Sequence, residues 1–95
     1  MRSGTISNGF YFEFDETRAD DMRFVDLSVE ATSKDAGDFE KLSATSKMIE
    51  MLLGKEQKNA LYEHIGKSYG GRVPFAEMDK ALTEIMKAGG DSVKN

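Results

Sequence analysis

The sequence predicts a small, mostly α-helical domain: a short N-terminal β-hairpin or strand followed by three to four short helices. Three observations carry this. Phe10, Phe12 and Phe14 alternate with Tyr11 and Glu13, a period of two that suits a strand. Beyond Asp38, apolar residues recur at helical spacing in successive blocks. Gly54, Gly66 and Pro74 punctuate those blocks where helices end or begin. With 95 residues, the chain divides into one domain, 1–88, and a flexible C-terminal tail, 89–95.

The hairpin rests on Asn8-Gly9, the favoured pair for a two-residue type I′ turn, which makes Thr5–Ser7 the end of a first strand. Residues 17–32 admit two readings. Thr17-x-x-Asp20 resembles a capping box with an acid at its third position, which favours a helix. On that helix Met22, Val25 and Val29 form one stripe, and Phe24, Leu27 and Ala31 another on the far side. Val25, Leu27, Val29 and Ala31 also alternate with polar residues; if 22–31 form a strand, the fold is α+β.

SKDAGD, 33–38, reads as a loop whose Asp38 caps the next helix, with Lys41 at the third position. Over 39–53, Leu42, Ile49, Leu52 and Leu53 share one side, and Ala44, Met48 and Met51 continue around it. That apolar arc covers roughly 200°, where a one-sided surface helix needs about 100°, so more than one neighbour is expected. Gly54 stops the helix. A helix over 55–65 follows, with Leu61, Tyr62 and Ile65 on its stripe and His64 in its last turn, facing the final carbonyls. After the KSYGG loop, Pro74, the only proline, starts the last helix at its first position with Val73 as cap. Phe75, Met78, Leu82 and Ile85 then share one face, and Lys80–Glu84 and Glu84–Lys87 form opposite-charge neighbours on another.

Composition narrows the function. There are no cysteines, so disulfides and thiolate metal sites are excluded and an intracellular setting is the easier reading. The opening MRSGTISNGF lacks an apolar segment of the signal-peptide kind, and no apolar run approaches a membrane span. The net charge of −4, with no basic stripe, argues against a nucleic-acid partner.

Catalytic patterns are missing. One histidine and no cysteine leave no familiar nucleophile–base pair. Gly66-Lys67-Ser68 resembles the end of a phosphate-binding loop, but that loop needs glycine where Leu61 stands. The acids Asp15, Glu16, Asp20 and Asp21 lack the alternating spacing of a calcium loop and suit helix capping. No cofactor or metal is expected. The candidate partner-binding residues are Phe10 and Phe12 of the aromatic strand and Met48, Met51 and Leu52 of helix 39–53. For that helix a core role stands open beside a binding role.

LLGKEQKNALYEHI (52–65), a short glycine-containing loop, and GRVPFAEMDKALTEIM (71–86) resemble the tail assembly chaperones of long-tailed phages and prophages of Gram-positive bacteria. The matching pieces are Leu52-Leu53-Gly54-x-Glu56-Gln57, Gly71-Arg72-Val73-Pro74 and the late Glu84-Ile85. GFYFEFDE followed by DDMRF is similar to the family's opening, so the resemblance spans roughly 8–87. The chain departs from the pattern in Ser28 and the β-branched valines of the first helix, and in the polar run SATSK.

The resemblance implies a non-catalytic protein in the cytoplasm of the bacterial host. It would bind the tape measure protein while the tail tube assembles around it, touch the tail tube protein, form homo-oligomers, and be absent from the mature virion. It also implies a longer frameshifted product, for which the end AGGDSVKN would be an extendable terminus. The unsatisfied edge of the hairpin and the broad apolar helix independently suggest self-association. The rival readings are a structural tail or head–tail joining subunit of the virion, and a small helical DNA-binding regulator.

Overall fold

The computed structural model describes the backbone of residues 1–94 and the side chains of residues 1–87. Strands β1 (Arg2–Thr5) and β2 (Tyr11–Phe14) form an antiparallel hairpin, and a 3-10 turn (Glu16–Arg18) leads into helices α1 (Met22–Thr32), α2 (Asp38–Gly66) and α3 (Phe75–Lys94). The mostly helical fold with an N-terminal hairpin is as the sequence predicts. Residues 22–31 are helical, which settles the open choice. The tail expected over 89–95 lies outside the fully described residues.

The hairpin turn differs from expectation. Ile6 N–H donates to Phe10 C=O (3.0 Å) and Gly9 N–H to Ile6 C=O (2.9 Å), closing a three-residue loop, Ser7-Asn8-Gly9. Gly9 has φ 92°, while Asn8 keeps a negative φ. A type I′ turn needs positive φ at both central residues; one turn followed by a left-handed glycine is the bulged three-residue alternative. The Asn8 side chain still serves the turn, since its Oδ1 accepts from Phe10 N–H at 2.9 Å. Ile6 and Phe10 form a hydrogen-bonded pair, so by alternation Gly4↔Phe12 and Arg2↔Phe14 do too, and Ser3 and Thr5 aim their main-chain groups away from β2.

The first helix starts a full turn after the expected Thr17 cap, and the other two start within one residue of theirs. Asp15 caps the 3-10 turn by accepting from Thr17 N–H, and Asp21 caps α1 by accepting from Arg23 N–H. Those hydrogen bonds, from the Thr17 and Arg23 side chains first, hold both carboxyls below the usual aspartate range. At α2, Gly37 rather than Asp38 is the cap, and Glu40 Oε1 reaches back to accept its N–H at 2.8 Å. At α3, Pro74 C=O accepts from Met78 N–H at 3.3 Å, so Pro74 stands at the cap and Phe75 opens the helix, one residue later than expected.

Gly54 breaks α2 into two arms, as its sequence position predicts. Its φ 82°, ψ 165° is backbone that essentially only glycine adopts. Lys58 Nζ meets Glu50 Oε1 across the bend at 3.2 Å, and Arg18 Nη1 approaches the Met51 and Leu52 carbonyls at 3.5 Å where the first arm ends. A Cβ at Gly54 would meet nothing nearer than Arg18 Nη1 at 3.9 Å, so the cost of substitution is backbone strain alone. Gly54→Ala is expected to lower stability by about 1–3 kcal/mol, read as a fall in the urea midpoint at unchanged slope.

The second arm of α2 and α3 hold the hairpin. The Gln57 amide takes Glu13 N–H (2.9 Å) and gives to Glu13 C=O (2.6 Å), as a neighbouring strand would. His64 Nε2–H donates to Asn8 C=O at 2.8 Å and its ring lies 5.7 Å from that of Phe10; the histidine clasps the hairpin loop rather than its own helix's last carbonyls. Glu84 accepts from Ser7 Oγ (2.7 Å) and Ser7 N–H (2.8 Å) and, among the described residues, forms neither ion pair expected on α3.

The Ser7 hydrogen bonds, side chain first, hold the Glu84 carboxyl below its usual range. A depressed carboxyl stabilises the fold above the unfolded-state pKa, and that contribution fades as pH falls through the lower folded value. The Ser7 amide is therefore expected to lose hydrogen-exchange protection on acidification below the ordinary glutamate range. Glu84→Gln should remove that pH dependence.

Between hairpin and helices lies one apolar core with Phe12, Ile49, Leu52, Leu61 and Ile85 fully enclosed. It draws on β2, the flanks of the hairpin loop and all three helices, which explains the wide apolar arc of the first arm of α2.

Candidate functional site

The helix pairing leaves a trench. Both α1 and α3 pack on α2, and they barely meet each other. Two adjoining depressions, of about 410 and about 430 Å³, share Ala31, Thr45 and Asp79 and so run together. The floor is α2: Leu42, Thr45, Ser46 and Ile49. One wall is α1, with Ser28, Ala31 and Thr32; the other is α3, with Phe75, Ala76, Asp79 and Thr83. Val73 and Tyr62 close one end, and Met86 and Lys87 line the other.

The trench is open because its residues are short. Ser28 and Ala31 on α1, Thr45 and Ser46 on α2 and Ala76 on α3 do not fill the space that larger residues would. The polar run SATSK, set apart in the sequence, thus supplies part of the floor, while its Ala44 is buried. Phe75, expected on the inward face of α3, is instead 66% exposed on the rim. As the first residue of the helix, it has no preceding turn to carry it onto the core.

An uncharged ridge adjoins the trench. Met22, Val25 and Val29 are exposed, with relative accessibilities of 69%, 42% and 62%. At 100° per residue they fall on one side of α1, next to Ser28 and Thr32, whereas Arg23, Asp26 and Glu30 fall together on the other. Single exposed apolar residues are ordinary; a contiguous set beside a cavity marks a contact surface.

Of the sequence-derived candidates Met48 alone reaches the trench lining, and the others lie elsewhere. Phe10, Phe12, Met48 and Leu52 are buried, and Met51 is half-buried against the same core. The aromatic strand turns its phenylalanines into the core, and most of the arc of 39–53 is covered by the hairpin, α1 and α3, with Leu42 and Ile49 left on the trench floor. The first arm of α2 is thus the central core helix, one of the two roles left open for it. Residues of the trench that the sequence did not single out include Thr45, Ala76 and Thr83. Their one signal was the concentration of small residues at matching positions of three amphipathic helices.

Among the described residues there is no group of three or more His, Asp or Glu side chains placed to hold a metal ion, and no buried polar side-chain atom lacks a hydrogen-bond partner. Nor is any described helix long and apolar enough to cross a membrane. Comparison with known proteins adds no relative: no family model matches the chain, and no curated protein or solved structure shows significant similarity.

Proposed function

We infer that the protein is a non-catalytic tail assembly chaperone that holds an apolar helical segment of a phage tape measure protein. The observation that carries this reading is the trench: an apolar floor with hydroxyl groups along it, open to solvent between two helices. Such a surface suits helix-in-groove recognition, in which an amphipathic helix lays side chains spaced three, four and seven residues apart into a furrow. The resemblance over 52–65 and 71–86 supplies the identity of the partner, and the acidic surface keeps an aggregation-prone client in solution. On this reading the protein works in the host cytoplasm, contacts the tape measure protein and the tail tube protein, and leaves before the virion is complete.

Co-expression with a tape measure protein from the same genome tests the reading. A recovered complex and a soluble tape measure protein are expected. Ala76→Arg, on the exposed wall, is expected to leave stability within about 0.5 kcal/mol and abolish the complex, because its side chain fills the trench. A tape measure protein equally insoluble with and without this chain would overturn the proposal. Mass spectrometry of purified particles separates it from a structural subunit, which would be present in stoichiometric amount.

A further inference from the structure

We propose that the outer edge of β1 is a self-association site, through which two copies pair strand to strand about a two-fold axis at Gly4. The proposal rests on the hairpin alone and is independent of the tail-assembly reading.

The hairpin has two edges, treated differently. The β2 edge is closed at Glu13, whose N–H and C=O are both taken by Gln57. On the β1 edge, Ser3 and Thr5 turn their main-chain groups outward by the alternation of the ladder, and both residues are exposed. Among the described residues none forms a further hydrogen bond with those groups. Edges exposed this way are ordinarily shielded by proline, lysine, an inward charge or a bulge. Here the outward-paired positions carry only hydroxyl side chains.

Parity fixes the register. An outward-facing residue can exchange hydrogen bonds only with another outward-facing residue, and the register that engages both such residues of β1 sets Ser3 against Thr5 of the second copy, and Thr5 against its Ser3. The axis then passes through Gly4, which has no side chain to hold the chains apart. Charge agrees with the antiparallel direction. Arg2, 3.6 Å from Glu16, begins the strand, and the other end abuts Ser7, held by Glu84. Pairing about Gly4 sets the basic end of each strand beside the acidic end of the other.

A two-stranded hairpin of four-residue strands becomes a four-stranded sheet, which is the more stable unit. Gln57 blocks the β2 edge at Glu13, so the sheet extends at β1, and a two-fold pairing there closes at two copies.

Sedimentation equilibrium over a wide concentration range tests this. The wild-type chain is expected to approach twice its 10.6 kDa mass, with the Ser3 and Thr5 amides gaining exchange protection as the dimer fills. Ser3→Pro removes an outward donor and leaves the bonds to β2 intact, so it is expected to be folded and monomeric. Thr5→Lys places a charge on the edge and serves as the second variant should the proline perturb the hairpin. A wild-type chain that stays monomeric at millimolar concentration would overturn the proposal. So would a folded edge variant that dimerises as strongly as the wild type.

Discussion

Replacing Met48 by aspartate is expected to unfold the domain. Met48 lies in the core on the first arm of α2, 6% exposed, between the elements that pack on both sides of that arm. Truncating such a side chain costs about 2–5 kcal/mol through lost burial and the cavity left behind. Placing a carboxylate there without a partner adds several kcal/mol of desolvation, or forces the group to take up a proton. Together these approach the whole stability of a small domain, about 5–15 kcal/mol. Loss of the far-UV helical signal and earlier elution on gel filtration are the expected readings. Met48→Leu, which keeps volume and polarity, should cost less than about 1.5 kcal/mol. A cooperatively folded Met48→Asp that had merely lost a binding partner would mean that this face is not core.

Phe12→Ala comes next in size, at about 3–5 kcal/mol. Phe12 is fully enclosed, its ring 6.0 Å from that of Phe14, and it sits opposite Gly4 in the ladder. A Cβ on Gly4 would lie 3.4 Å from the Phe12 ring, so that ring fills the space a side chain at Gly4 would use. Chemical denaturation should show a large fall in midpoint, with the β1 and β2 amides exchanging faster than those of α2. A fall under about 1 kcal/mol would show that the hairpin does not depend on this ring.

The fold was legible where a single local rule decided it. Gly54 marked a break because only glycine fits there, and the alternating phenylalanines marked a strand because no helical stripe competes with that period over 10–14. Helix 22–31 was ambiguous because Val25 and Val29 suit a strand as well as a helix, and because their exposure removes the burial pattern that would have decided. The first cap moved from Thr17 to Asp21, because a 3-10 turn takes up the residues between, and the second moved one residue, from Asp38 to Gly37. The candidate site was far less legible. Phe10, Phe12, Met48 and Leu52 looked available because apolar character is visible in sequence, whereas the neighbour that covers it is not. The trench is built from short side chains, whose contribution is the space they leave, and such space exists only once three helices are set against one another.

The clasps on the hairpin carry a consequence for the order of assembly. Glu13 is held by a residue 44 positions later, Asn8 by one 56 later and Ser7 by one 77 later. Contacts of such long separation form slowly, because chain entropy is lost before any of them is gained. On the ribosome the strands emerge first and their anchors follow one by one, with Glu84 last. A nascent chain stopped before Gln57 carries the hairpin without any of these anchors. The N-terminus thus acquires its native exchange protection only when α3 has been made and has docked, so proteolytic sensitivity of the first ten residues reports whether the other end of the molecule is in place.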